Sequence, residues 1–165
     1  MIFDILKNLF KKFTSNKKNL RPPGASKDFL AKCIRCGQCV QVCQYRSIFF
    51  GGPENLSGTG TPYIDPARIP CYLSMECVKV CPTGALQKVD KKSVRMAIVS
   101  IDPELCFAYK KVICKFCFKN CPLQGEAIIM NRIEPVIVKD KCTGCGVCYH
   151  VCPAKPNAIK INPIL

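Results

Sequence analysis

A small α+β fold of repeated strand, loop, short-helix and strand units is what this sequence predicts, and three observations predict it. The chain carries fifteen cysteines in 165 residues. They fall into four groups, three of which close on Cys-Pro: Cys81-Pro82, Cys121-Pro122 and Cys152-Pro153. A β-rich stretch with an aspartate nearby precedes each of the last three groups: Tyr63-Ile64-Asp65, Met96 to Asp102, and Pro135 to Asp140. After each comes a small residue leading into apolar ones: Ala85-Leu86, Ala127-Ile128-Ile129 and Ala158-Ile159. The alternating Val94, Met96 and Ile98 and the run Val136-Ile137-Val138 read as core strands. Four such units make two modules, with helices on one face of small sheets.

The cysteine spacing carries the chemistry. Cys33, Cys36, Cys39 and Cys43 are spaced C-x2-C-x2-C-x3-C, and Cys142, Cys145, Cys148 and Cys152 repeat that pattern. Three thiolates on a tight loop grip three corners of one [4Fe–4S] cubane, and the fourth, a helical turn further on, points to a second cluster. The third group has a longer opening, Cys106-x7-Cys114-x2-Cys117-x3-Cys121. The second is short of one thiol: Cys71-x5-Cys77-x3-Cys81, with Ser74 where a second cysteine would stand. Four complete cubanes take sixteen cysteines, and the chain has fifteen. The reading is therefore three [4Fe–4S] clusters plus one odd site at Cys71 and Cys77. That site holds either a [3Fe–4S] cluster or a cubane whose fourth iron takes an oxygen from Ser74 or Glu76. All fifteen cysteines are candidate iron ligands, and no residue is given a catalytic role.

Other uses of cysteine fit less well. Structural zinc sites pair two short C-x2-C knuckles across a long gap, unlike three thiols in seven residues and a fourth before proline. A disulfide framework belongs to an oxidising compartment, usually with a signal peptide. A c-type haem needs C-x-x-C-H, and no cysteine here is followed by histidine. A Rieske centre needs two histidines; His150 is the only one and reads as a surface or packing residue. The glycine-rich stretch from Gly51 to Pro62 lacks the G-K-[ST] ending of a phosphate loop and reads as a connection.

So many cysteines leave little room for an ordinary apolar core. Metal-binding free energy then becomes folding free energy, and the iron-free chain is expected to be largely unfolded. The formal charge is +14, which four oxidised clusters near −2 each bring to roughly +6. A basic surface built mainly from Lys7, Lys11, Lys12, Lys17, Lys18, Lys91, Lys92, Lys110 and Lys111 matches a redox partner with an acidic docking face. No nucleic-acid-binding fold is recognisable, so no nucleic-acid role is assigned. Ile2, Ile5, Leu6, Leu9, Phe10 and Phe13 recur at helical spacing with lysines opposite. Residues 1–19 read as an amphipathic basic arm that docks on a partner, contacts an anionic membrane face through residues 1–13, or folds back on the modules. No run approaches the roughly eighteen apolar residues that span a bilayer.

Several connecting phrases resemble one family. Leu20-Arg21-Pro22-Pro23-Gly24-Ala25, Phe29 to Val40, Gly60-Thr61-Pro62-Tyr63, Ile69-Pro70-Cys71, Cys77 to Leu86 and Cys142 to Gly146 look like the NapG/MauM-type ferredoxins, from about residue 20 to the C-terminus. The resemblance implies two ferredoxin-like modules with four clusters, relaying electrons between a quinol-oxidising membrane partner and a downstream enzyme. It also implies a nested layout: an outer module from 33–50 plus 135–165, and an inner one from 62–130. On that layout Cys33, Cys36 and Cys39 join Cys152; Cys142, Cys145 and Cys148 join Cys43; Cys71 and Cys77 join Cys121; and Cys106, Cys114 and Cys117 join Cys81. A sequential pairing of neighbouring groups is the alternative.

Three departures from the family pattern stand out. The second group lacks a cysteine and two residues of spacing. Gln44 replaces the proline expected after Cys43, freeing a backbone N–H near that cluster and raising its potential. Residues 1 to 20 hold no Arg-Arg pair and no long uncharged stretch, so the protein is expected in the cytoplasm, with peripheral contact at the inner membrane face as an option.

The functional expectation is an electron-transfer subunit without catalysis of its own. It would wire a soluble tungsten- or molybdenum-type oxidoreductase subunit to another carrier, with self-association through the arm as a further option. The NapG-like membrane quinol dehydrogenase is the alternative partner. An iron–sulfur enzyme with an open iron at Cys71 and Cys77 is the alternative of another class, although no histidine or acid constellation converges there.

Overall fold

The structure, a computed structural model, describes residues 19–53 and 58–165. The expected amphipathic arm, up to residue 18, and the middle of the glycine-rich loop, residues 54–57, lie outside the described residues.

The cluster loops dictate the helices. Each of the five described α-helices is a single turn: α1 Phe29–Lys32, α2 Gln38–Gln41, α3 Glu76–Lys79, α4 Phe116–Lys119 and α5 Val147–His150. The last four each bury one cysteine of a different group, Cys39, Cys77, Cys117 and Cys148 respectively. A single turn is too short to be stable alone, so these helices exist because their cysteines and apolar neighbours are held.

Among the described residues, six short strands form three antiparallel pairs. β1 (Ile48–Phe50) pairs with β2 (Pro62–Ile64), and β4 (Ile128–Asn131) with β5 (Glu134–Ile137). β3 (Ala97–Ile101) pairs with β6 (Ile159–Pro163), setting Val99 opposite Ile161. A 3-10 turn, Lys91–Ser93, leads into β3, with the Asp90 carboxylate accepting from the Lys92 N–H at 2.8 Å.

The α+β character and the two ferredoxin-like modules are present, but the modules follow one another along the chain instead of nesting. β1 pairs with β2, and isolated bridges join Leu20 to Ile64 and Ala25 to Leu86, all within the first half. β3 pairs with β6 in the second half. Closing short local loops costs less chain entropy than bringing residues 33–50 to 135–165. The modules nevertheless share one core, in which Leu20, Phe29, Ile48, Ile64 and Leu86 of the first meet Cys145 and Val147 of the second.

The expected alternation before the third group changes parity. Val94 and Met96 are buried as expected, yet Ile98 is 59% exposed while Ala97 and Val99 are buried. The switch falls where the Met96 N–H donates to the Thr143 carbonyl at 2.9 Å. Gly144 lies against the same backbone: a Cβ on it would stand 2.3 Å from the Ala97 nitrogen, and its φ is +72°. Gly144→Ala is therefore expected to cost about 1–2 kcal/mol through the left-handed φ alone, with the backbone clash added. Anaerobic thermal melting, together with the iron content of the purified variant, checks it.

Candidate iron–sulfur sites

Four groups of thiols emerge, each drawing on two cysteine motifs. Site 1 is a cavity lined by Cys33, Cys36, Cys39 and Cys81, with Phe29 and Leu86 among its walls. Site 3 is lined by Cys142, Cys145, Cys148 and Cys121, with Val99 and Ile128. Site 4 is lined by Cys106, Cys114, Cys117 and Cys152, with Ile101 and Pro135. Site 2 consists of Cys43, Cys71 and Cys77, buried together in the main core, with the Cys71 thiol within electrostatic reach of the other two.

This grouping replaces the one the resemblance implied. Cys33, Cys36 and Cys39 meet Cys81 rather than Cys152, and Cys142, Cys145 and Cys148 meet Cys121 rather than Cys43. Cys106, Cys114 and Cys117 meet Cys152 rather than Cys81. The cause is local packing: α2 lies against α3 and α4 against α5. On α2 the thiol of Cys39 serves site 1, and Cys43, one turn on, serves site 2; Cys77 and Cys81 run the opposite way. Cys117 with Cys121 and Cys148 with Cys152 repeat the crossing between sites 3 and 4.

The donor set fits iron–sulfur clusters. Among the described residues, no three His, Cys, Asp or Glu side chains close on a single metal ion. The thiols ring a volume instead of a point, unlike a zinc site with Zn–S bonds of about 2.3 Å. Apolar walls exclude water from that volume and leave thiolate charge to be balanced by the metal.

Burial pushes the Cys71 and Cys77 thiols up to about 12, Cys71 being helped by Cys145 and Cys77 by Cys39. Burial likewise lifts Cys39, Cys117 and Cys121 to about 11. Without metal these are neutral thiols at pH 7, and iron must displace their protons.

Backbone N–H groups soften that cost. Leu73 donates to the Cys71 Sγ at 3.4 Å and Leu86 to the Cys81 Sγ at 3.3 Å. Burial raises Cys81, but the N–H groups of Leu86 and Thr83 outweigh it and bring the thiol below its ordinary value. At Cys43 the Ser47 N–H donates to the sulfur at 3.4 Å. Ser47 Oγ donates to the Pro70 carbonyl at 2.7 Å, tying the start of the Cys71 loop to Cys43. His150 is exposed, with Nδ1 3.1 Å from the Pro66 carbonyl oxygen, and lies off the four sites.

Sequence reasoning missed two arginines. Arg21 is buried, and its Nη1 donates to Thr61 Oγ1 at 2.8 Å and to the Pro62 carbonyl at 3.2 Å. Its guanidinium lies 5.1 Å from the centre of the Phe29 ring. Burial lowers its pKa, and the nearby Cys33 opposes that. Arg95 donates to the Lys92, Val94 and Asp140 carbonyls, and its charge eases Cys142 downward against burial. The Arg21-Pro22-Pro23-Gly24 phrase was visible in the sequence; that it packs beneath a cluster loop was not. Arg21→Gln is expected to cost roughly 2 kcal/mol from the lost charged hydrogen bonds. It should also lower the site 1 potential, since a nearby cation favours the more negative reduced cluster. A thermal melt and a redox titration followed by EPR check the two effects.

The 4Fe-4S dicluster domain family matches residues 32–85, and a second 4Fe-4S dicluster domain matches residues 98–153. These ranges coincide with the two sequential modules. A methylamine utilization ferredoxin-type protein MauM of Paracoccus denitrificans (strain Pd 1222) is 38% identical over 160 residues, covering 87% of this chain and 71% of that protein. The ferredoxin-type protein NapG of Escherichia coli (strain K12) is 36% identical over 164 residues, covering 88% of this chain and 71% of that protein. The chain belongs to the NapG/MauM-type ferredoxins. As such it is an iron–sulfur electron-transfer protein, and its two dicluster domains imply about four [4Fe–4S] clusters. Among the described residues of this ferredoxin, no helix is long and apolar enough to cross a membrane.

Proposed function

We propose that this ferredoxin is a four-cluster wire whose sites lie in the order 1, 2, 3, 4, and that it relays single electrons between a catalytic oxidoreductase subunit and another carrier. Sites 1 and 2 are coupled by the crossed cysteines of α2 and α3, and sites 3 and 4 by those of α4 and α5. The observation that carries the reading lies between the modules: the Cys71 N–H of site 2 donates to the Cys145 carbonyl of site 3 at 3.0 Å. Two dicluster modules are thereby joined through their inner clusters, which leaves sites 1 and 4 as the termini. In this reading each site takes the thiols that ring it as iron ligands. Three sites hold [4Fe–4S] clusters, and site 2, with three thiols, is the exception.

Both termini have surfaces suited to docking. At site 1, Cys36 is exposed and Ile34 beside it is 63% exposed. At site 4, Ile113 is 82% and Phe116 is 55% exposed on either side of Cys114. Exposed apolar residues around a cluster, within a basic surface, suit an acidic partner that excludes water on docking. We read one partner as a metal-containing oxidoreductase of the molybdenum or tungsten type. Native mass spectrometry of the complex purified anaerobically from its source tests this. A soluble metalloenzyme partner supports it, and a membrane quinol dehydrogenase replaces it with the alternative pathway. Turnover of a substrate by the isolated chain would contradict the relay role itself.

A further inference from the structure

We infer that the Ser74 hydroxyl oxygen is the fourth iron ligand at site 2, completing a cubane with three thiolate corners and one alkoxide corner. This rests on the four-cluster reading above and names the donor that the reading leaves open.

Register is the first ground. Cys71, Ser74, Cys77 and Cys81 stand at the same intervals as Cys33, Cys36, Cys39 and Cys43, and as Cys142, Cys145, Cys148 and Cys152. Ser74 is thus the counterpart of Cys36 and Cys145, the second corner of each loop.

Backbone conformation is the second and independent ground. Cys36 is flanked by Arg35 at φ 58° and Gly37 at φ 79°, and Cys145 by Gly144 at φ 72° and Gly146 at φ 84°. Ser74 is flanked in the same way, by Leu73 at φ 57° and Met75 at φ 64°. Left-handed backbone is unfavourable for side chains with a Cβ, and two such residues so close together persist only where the surroundings impose it. Leu73 is 3% exposed, and its N–H is turned onto the Cys71 sulfur. The loop therefore retains the form that aims a second-corner side chain at a cluster, although that side chain is a serine.

The rival donor is otherwise engaged. Glu76 Oε1 lies 2.7 Å from Lys79 Nζ on the exposed side of α3. The half-buried Ser74 side chain has no hydrogen-bond partner among the described residues. On binding, the hydroxyl releases its proton to solvent, as metal-bound cysteine does, so the alkoxide replaces a thiolate charge for charge. Oxygen is a harder donor than sulfur, which makes this corner the most weakly held of the four.

Anaerobic native mass spectrometry and EPR on wild type, Ser74→Ala, Ser74→Cys and Glu76→Gln test the assignment. Wild type, Ser74→Cys and Glu76→Gln should each carry about sixteen irons, and Ser74→Ala about fifteen, with an axial EPR signal near the free-electron value when oxidised. Ser74→Cys should also shift the site 2 reduced spectrum while keeping the iron count. A wild type with about fifteen irons and that axial signal overturns serine ligation, as does Ser74→Ala retaining about sixteen. A count near twelve in both wild type and Ser74→Cys would instead remove the fourth cluster and the four-cluster reading with it.

Discussion

Stripping the iron anaerobically with a strong chelator is expected to abolish the cooperative thermal transition and the near-UV circular dichroism of the chain. The helices are single turns and the sheets are two-stranded; neither holds without tertiary support. The buried apolar side chains are interleaved with the thiols themselves, as with Cys39, Cys43, Cys71 and Cys77 in the main core. Removing the clusters leaves thiol-lined voids in place of a core, so metal binding is folding free energy.

The pH dependence has two opposite signs. Cys71 and Cys77 are raised to about 12 in the metal-free fold, above the value near 8.5 expected of an unfolded thiol. Whatever residual order the stripped chain keeps is fully supported below that unfolded value, and it is lost as pH rises toward about 12. The loaded protein behaves in reverse, because protons compete with iron for sulfur. Chelator-driven cluster release should therefore accelerate as pH falls from about 8 to about 6. Absorbance bleaching against time, read across that range, checks it; a stripped chain with an intact cooperative melt would contradict the cluster-stapled fold.

The second large effect is expected from Cys71→Ala. In the proposed wire Cys71 is a ligand of site 2, and its backbone N–H donates to the Cys145 carbonyl of site 3 whatever side chain it carries. The variant should lose the site 2 cluster and retain those of sites 1, 3 and 4. Fast reduction of site 4 from a donor at site 1 should then fall to near background, while direct chemical reduction of both termini stays intact. Freeze-quench EPR, following the terminal clusters separately, reads the difference. Undiminished transfer between the termini would show that electrons bypass site 2.

What sequence revealed and what it hid divide along physical lines. The cluster loops were legible because ligation fixes the spacing of Cys33, Cys36 and Cys39, whatever the rest of the chain does. The strand, loop, helix and strand repeat was legible too, because Ala127-Ile128 and Ala158-Ile159 follow their cysteines at matched intervals. Which remote cysteine completes each site was not legible. Cys43, Cys81, Cys121 and Cys152 each stand four residues after the preceding cysteine, and only the packing of α2 on α3 and α4 on α5 distributes them. The parity switch at Ala97 depends on the close approach of Gly144, nearly fifty residues away in the chain. The burial of Arg21 likewise depends on Thr61 and Pro62 arriving beside it.

A row of four clusters joined at Cys71 and Cys145 can be seen in crystals grown without oxygen, with anomalous diffraction collected at the iron edge. Four iron centres should lie in a row, with Cys33, Cys36, Cys39 and Cys81 at one end and Cys106, Cys114, Cys117 and Cys152 at the other. Iron centres in which Cys152 joins Cys33, or in which sites 2 and 3 are not adjacent, would contradict it.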